Sequence, residues 1–502
     1  MVKAWSESIN GVVASEQSLA SSVGAYVLTQ GGNAVDASIA TSLALSVLIP
    51  HLGGVGGDFF MLYRSPDGRV HFINGSGQAP RKLNIEELTS RGLTSIPLHS
   101  PLSMVVPGMI GGLYEAWRRL GSMEWRDLVK PAWLLASQGF PLPPSTARAL
   151  KRMEECLKSD RGSRESLLKN LPMESGKPAR MTGLASLLEG TMEDPLYMYR
   201  GDPAEAIEEY IAGRGGVLTV DDMREYKPYE GSPISINYNG WRIYEMPPNT
   251  QGITTLHILM LLEEVRLPGE PSNPERFEIL RSMAERAYMI RDEYIGDPAY
   301  MKYDVNQLLK KDTLMDLTGK LKSTMKGGDG DTTFYAIADS EGGMVAGIQS
   351  LYYPFGSCVT EPRFQVTLNN RALGFTLQKG KPSTLRPGSR PLHTLSAVIM
   401  EKNERVIVLG ASGGLLRPQQ HALFITNITD YGMDPLESIN YPRAVWDPSR
   451  NAIICEEPLC IDNWIQVERI GVANSIETIG VVKRGYTDWR GDGLPVTALT
   501  AK

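Results

Sequence analysis

Apolar positions recur at three- and four-residue spacing through residues 16–30 and stop at Gly31-Gly32. The same pattern fills 34–48 and ends before Pro50, so two helices are expected ahead of a glycine-rich loop. Short apolar runs at 59–63 and 70–73 flank Ser65-Pro66-Asp67-Gly68, a turn signal that predicts a hairpin. Residues 112–220 read as largely helical, and within them 158–177 are polar and charged, which suits a solvated surface or mobile loop. Strand patterns return at 234–238 and 241–244 around Asn239-Gly240, a strong hairpin signal. Helical spacing follows at 257–265 and 276–294, then strand patterns at 332–339, 344–350, 395–400 and 405–410. Helix and strand segregated in this way suit an α+β fold, a four-layer α/β/β/α sandwich.

The strand at 332–339 stands out because it begins with Thr332-Thr333 directly behind Lys326-Gly327-Gly328-Asp329-Gly330-Asp331, which has three glycines and no apolar residue. Ser340-Glu341-Gly342-Gly343 turns the chain back into 344–350. A turn centred between Glu341 and Gly342 sets Thr332 opposite Leu351; a one-residue shift sets it opposite Ser350. Either register brings two hydroxyls close together. A threonine hydroxyl needs a base to become a nucleophile, and its own α-amine, titrating near ~7.7–8.0, can serve once it is a chain terminus. The functional reading therefore requires scission between Asp331 and Thr332. A Thr-Thr pair also opens ordinary edge strands.

The chain has 502 residues, 42% of them hydrophobic and 22% charged, ample for a large core. With no long linker or fixed-period repeat, one compact unit is favoured over separate domains. A net charge of −6 and a pI near 5.7 argue against a nucleic-acid footprint or electrostatic attachment to anionic lipid. The N-terminal residues lack the positive flank and apolar core of a secretory signal, so a cytoplasmic location is expected. Residues 35–50 are apolar but too short and too polar to span a bilayer.

Cys156, Cys358, Cys455 and Cys460 are scattered and are expected as free, mostly buried thiols. The six histidines lack ligand spacing, so no metal and no cofactor are expected. The acids around Arg291 and the Glu456-Glu457 run read as solvated charges. Gly410-Ala411-Ser412-Gly413-Gly414 fits the G-x-S-x-G nucleophile elbow, with a strand before it and a helix after. Only His421 follows Ser412, with no acid between them, so an esterase triad in the elbow's chain order is not completed. Backbone amides of Gly413 and Gly414 at this strand-to-helix turn can instead stabilise an oxyanion.

Residues 332–351 resemble the start of the small subunit of the gamma-glutamyltransferase family of N-terminal nucleophile hydrolases. Gly31 to Ala37, Gly53 to Leu62, Val105 to Gly108, Met246-Pro247-Pro248 with Gln251-Gly252, Arg291-Asp292 with Gly296-Asp297-Pro298, Arg390-Pro391-Leu392 and Gly413-Gly414 resemble further family segments in the same order. The resemblance implies the same α/β/β/α sandwich, with self-cleavage into a large subunit, 1–331, and a small subunit, 332–502, interwoven as one domain. It implies Thr332 as nucleophile, Ser350 in place of a second catalytic threonine, and Gly413 and Gly414 as oxyanion donors.

The substrate contacts depart from the glutathione-processing members. Their carboxylate-binding arginine aligns with Ser76 in Asn74-Gly75-Ser76-Gly77-Gln78-Ala79-Pro80, and their ammonium-binding acid aligns with Gly374. A Ser-Ser pair is replaced by His393-Thr394. Gln78, Arg371, His393 and Thr394 are the candidate substrate-binding residues, with Arg371 a candidate partner for a glutaryl-type carboxylate. The expected activity is a self-processing amidohydrolase or acyltransferase acting on a small gamma-glutamyl, glutaryl or related acyl amide. The competing readings are a non-catalytic binding protein on the same scaffold and a serine esterase using Ser412. Whether the paired fragments oligomerise is left open.

Overall fold

The computed structural model describes residues 4–319 and 330–499. Two seven-stranded antiparallel sheets pack face to face. The first has the order Val496–Thr497, Gly11–Ser15, Asp331–Asp339, Met344–Tyr352, Asp58–Arg64, Val70–Gly75, Tyr229–Gly231. The second runs Ala4–Ser8, Val482–Thr487, Ala473–Ile479, Arg405–Ala411, Val398–Lys402, Trp241–Glu245, Ile234–Tyr238. Both sheets contain strands from before and from after residue 331.

The period-2 alternation of the central strand explains the layering. Phe334, Ala336 and Ala338 point into the layer between the sheets, where they meet Phe60, Ile348, Ile399 and Val408. Tyr335 and Ile337 point the other way, into helices Ser18–Thr29, Ala34–Leu48 and Met109–Leu120. On the far side, Gly252–Leu262, Pro274–Tyr294 and Arg417–Thr429 cover the second sheet through Ile407, Leu409 and Val398. Strands buried on both faces become near-continuously apolar, which is why 334–338 and 344–348 carry no charged or amide side chain. The result is the α/β/β/α sandwich.

Helix Ala34–Leu48 begins where the glycine stop and capping chemistry dictate: the Asn33 side chain accepts from Val35 and Asp36 N–H, and Asp36 returns the bond to Asn33 N–H.

Several expectations are corrected. The cysteines are not free thiols: Cys156 joins Cys358 and Cys455 joins Cys460 as disulfides. Within 158–177, expected as solvated, Asp160, Ser163 and Ser166 turn inward and bond residues 358–365 and Leu167 is buried, while 174–177 are exposed. Glu456 is buried and paired with Arg490, and it accepts from the N–H groups of Arg443 and Ile470. Arg291 is likewise buried, bonded to Asp292 at 2.8 Å.

Candidate active site

Strand register positions Thr332. Thr333 pairs with Gln349 and Asp331 with Tyr352, so the single residue Thr332 faces two, Ser350 and Leu351. This is a β-bulge on the returning strand, a device that re-aims side chains. Both registers open to the sequence are therefore realised, one on each side of the bulge. Ser350 Oγ accepts from Tyr352 N–H at 2.7 Å, and across the next strand Ser350 pairs with Asp58. The bulge leaves Tyr352 at φ +87°, a conformation that L-residues rarely hold, so surrounding contacts must maintain it.

Gly413 and Gly414 follow strand Arg405–Ala411 and lead into helix Arg417–Thr429. Their φ values, +143° and +52°, suit glycine. Gly414 also lies against the chain just before Thr332: a Cβ there would come within 2.6–2.8 Å of the backbone N, Cα and O of Gly330. On its other side Gly330 abuts the Tyr352 ring, since a Cβ on Gly330 would sit 3.0 Å from it. The segment entering Thr332 is thus held in a slot between Tyr352 and the glycine turn.

Gln251 supports that turn. Its Nε2 donates to the carbonyls of Gly414 and Thr394, both at 2.8 Å, and its Oε1 accepts from Arg291 at 3.2 Å. Arg417 holds the carbonyls of Ala411, at 2.6 Å, and of Thr394. With carbonyls tied down beneath it, the turn has a preorganised backbone, which is what an oxyanion site requires.

A cleft of about 680 Å³ opens beside this slot, lined by Gln251, Arg291, Tyr352, Gly374, Thr394 and Leu415 among others. Its charges are balanced within the wall: Arg291 with Asp292, and Lys381 with Glu293. Leu373, Phe375 and Leu392 add apolar surface.

Of the expected site residues Thr394 lines the cleft, while Thr332 and Ser350 meet at the bulge and Gly414, next to Gly413, borders the slot beside it. Arg371 and His393 lie behind the cleft wall without exposed surface, sharing Asp58 as partner at 3.3 and 2.9 Å. Arg371 also donates to Thr394 Oγ1 at 3.1 Å and stacks over Tyr352, 4.2 Å from the ring centroid. Burial pushes His393 down to about 3, with Arg371 adding to the effect, so the imidazole is neutral. Its Nε2 donates to Asp58 while Nδ1 accepts from Leu395 N–H, which assigns the tautomer. Gln78 is tied to the Gly388 carbonyl, outside the cleft lining.

The rival elbow has an acid, but not one adjacent in sequence. His421 Nδ1 meets Glu245 Oε1 at 2.8 Å, both fully buried. His421 Nε2 has no partner among the described residues, and Ser412 Oγ instead accepts from Val472 N–H. Among the described residues no hydrogen bond joins Ser412 to His421.

Sequence reasoning missed Asp58, Tyr352 and the supporting role of Gln251. Asp58 had a signal, a lone acid opening the apolar run Phe59-Phe60-Met61-Leu62. Tyr352 had none, because its conformation follows from the bulge.

Comparison with known proteins supplies the remaining facts. A family model described as gamma-glutamyltranspeptidase matches residues 20–480. The glutathione hydrolase-like YwrD proenzyme of Bacillus subtilis is 31% identical, covering 87% of this chain and 85% of its own. The oxamate amidohydrolase proenzyme of Klebsiella pneumoniae is 29% identical over 90% of each. Among solved structures, a cephalosporin acylase from Bacillus halodurans superposes with a TM-score of 0.90 at 29% identity, over 99% of this chain and 97% of that one.

Proposed function

The chain belongs to the gamma-glutamyltranspeptidase family, and on that premise we propose that Thr332 is both the self-processing residue and the catalytic nucleophile. The protein is an N-terminal nucleophile hydrolase or transferase. The observation that carries the residue assignment is the slot in which Gly330 lies between Tyr352 and Gly414, immediately ahead of Thr332.

In maturation the Thr332 hydroxyl attacks the Asp331 carbonyl carbon. The C–N bond breaks, a C–O ester bond forms, and the Thr332 nitrogen is released as an amine. Water then hydrolyses the ester, leaving a carboxylate on Asp331 and fragments 1–331 and 332–502. In turnover the same hydroxyl attacks a substrate amide while the α-amine takes its proton and delivers it to the leaving amine. The Gly413 and Gly414 amides stabilise the oxyanion, and Ser350 orients the nucleophile. The acyl group passes to water or an acceptor amine. Its binding place is the slot that Gly330 and Asp331 vacate.

For the substrate we propose small acyl amides with no strict requirement for an α-amino acid head. Gly374, at the position of the family's ammonium-binding acid, packs so that a Cβ would lie 2.4 Å from the Leu392 carbonyl. Ser76, at the position of the carboxylate-binding arginine, is buried and accepts from Asn249 Nδ2 at 3.1 Å. Gly374 leaves no room for a charged anchor, Ser76 presents only a neutral buried hydroxyl, and the cleft's own charges are already paired. The relatives named for oxamate and for cephalosporins fit this reading.

Disulfides persist in oxidising compartments and, inside cells, chiefly in hyperthermophiles; a cytoplasmic location would require the second setting. The deciding experiment is a reducing denaturing gel of purified protein with N-terminal sequencing. A small fragment beginning Thr-Thr-Phe-Tyr supports the proposal, and one uncleaved chain without amidase activity refutes it.

A further inference from the structure

We infer that the Cys156–Cys358 disulfide is a covalent staple between the two fragments of the mature enzyme. The inference rests on the self-cleavage proposed above. Cys156 lies in helix Glu154–Ser159, before the scission point, and Cys358 follows strand Met344–Tyr352, after it; they are 202 positions apart. Cleavage of the Asp331–Thr332 peptide bond therefore leaves the two fragments joined through sulfur. The second pair, Cys455–Cys460, closes a short loop wholly within the small fragment and joins nothing across the cut.

The staple sits in a built contact rather than between two loose loops. Ser163 Oγ lies 2.8 Å from both the Cys358 carbonyl and Thr360 Oγ1. Thr360 N–H donates to Asp160 Oδ2 at 3.3 Å. Gln365 bridges further along, its Nε2 donating to the Ser166 carbonyl and its Oε1 accepting from Gly183 N–H, each at 2.8 Å. These bonds dock residues 160–183 of the large fragment onto residues 358–365 of the small one and hold the cysteines in register. Backbone amides and carbonyls supply most of the partners, so the docking does not depend on the sulfur bond.

The bond alters one property that the interwoven sheets cannot. Once the peptide bond is cut, separation of the fragments is a dissociation that dilution and denaturant favour. A cross-link keeps them as one molecule with a high effective concentration of each for the other. Forming it removes two electrons and two protons from the thiol pair, transferred to a thiol oxidant such as a protein disulfide or molecular oxygen. His99 lies within 4.8 Å of both sulfurs, so a reduced pair would make a three-ligand metal set, which is the arrangement that competes with the staple.

The test is paired denaturing electrophoresis of thiol-blocked protein, with and without a dithiol reductant, alongside Cys358→Ser and Thr332→Ala. The expected wild-type result is one full-mass band without reductant and two bands with it. Cys358→Ser should give two bands in both lanes, because cleavage does not require the staple. Thr332→Ala should give one band in both lanes, while peptide mapping still recovers Cys156 linked to Cys358. Two wild-type bands in both lanes overturn the staple and leave self-cleavage standing. One wild-type band in both lanes overturns self-cleavage, and with it a link between fragments. Stoichiometric zinc with two blockable thiols at Cys156 and Cys358 also overturns the staple.

Discussion

Gly414 lies against Gly330, closely enough that a methyl group on Gly414 would strike the backbone of Gly330 at 2.6 Å. This contact places the chain entering the nucleophile strand directly on the glycine turn assigned to the oxyanion. Self-processing and turnover can then share one set of backbone donors.

The first consequence concerns the hydroxyl at 332. Thr332→Ala should remain a single chain under reducing conditions, since alanine has no oxygen for the acyl shift, whereas Thr332→Ser should still cleave. Appearance of the Thr-Thr-Phe-Tyr terminus is read in wild type by sequencing. Cleavage of the alanine variant at the same bond would rule out self-processing by Thr332.

Gln251 supports the glycine turn through its bonds to the Gly414 and Thr394 carbonyls and to Arg291 rather than by bonding Thr332. Gln251→Ala removes two bonds to the carbonyls of Gly414 and Thr394. At roughly 1–3 kcal/mol for groups left unpaired, kcat should fall about 5- to 150-fold with KM little changed. A rise in KM alone, with kcat intact, would assign Gln251 to substrate binding instead.

Ser412 and Thr332 can be told apart by covalent labelling. Ser412→Ala should retain labelling by an acylating inhibitor and most turnover, because Ser412 Oγ is engaged by Val472 N–H and no hydrogen bond among the described residues joins it to His421. The adduct should map to Thr332. An adduct on Ser412 would reverse the assignment.

Substrate selectivity should be shallow at the α-amino group. Replacing a gamma-glutamyl donor by its glutaryl analogue should change kcat/KM less than about tenfold, or about 1.4 kcal/mol. A hundredfold preference for gamma-glutamyl would mean that other groups in the cleft read the amino acid head. Installing an acid by Gly374→Asp is not a clean complement, since the Leu392 carbonyl occupies the space its Cβ needs.

The buried Glu245–His421 pair sets a pH signature of stability. Burial raises the Glu245 carboxyl well above the usual range and lowers His421 well below its own. The unfolded glutamate ionises near ~4.3, so above that pH folding must take up a proton. Stability from this group is therefore full at low pH and declines as pH rises towards the folded value, by at most about 1.4 kcal/mol per unit. Glu245→Gln removes that slope while leaving the His421 contribution. The Tm of the variant relative to wild type should rise between pH 5 and 8; a constant difference would show that Glu245 folds ionised.

The local vocabulary of this fold is written in the sequence. Helix Ala34–Leu48 matches its expected bounds because apolar period, Asn33 cap and Pro50 all act within one segment. The hairpin of Asp331–Asp339 and Met344–Tyr352 is equally legible, and so is a threonine opening a strand behind a glycine loop. The first part of 158–177 departs from its expectation because a polar stretch that docks by backbone and hydroxyl bonds has the composition of a solvated one.

What tertiary structure alone decided is which of these pieces meet. The bulge that sets Thr332 before both Ser350 and Leu351 lies in strand Met344–Tyr352, whose other edge is paired by strand Asp58–Arg64. Asp58 finds Arg371 and His393 across more than 300 positions, and His421 finds its acid in Glu245, upstream of the serine rather than between the two. The Cys156–Cys358 bond spans 202 positions. Periodicity, caps and turns act between near neighbours, and so a single sequence displays them. Partners brought together by sheet order and chain crossing share no local spacing; their identity exists only once the layers have packed.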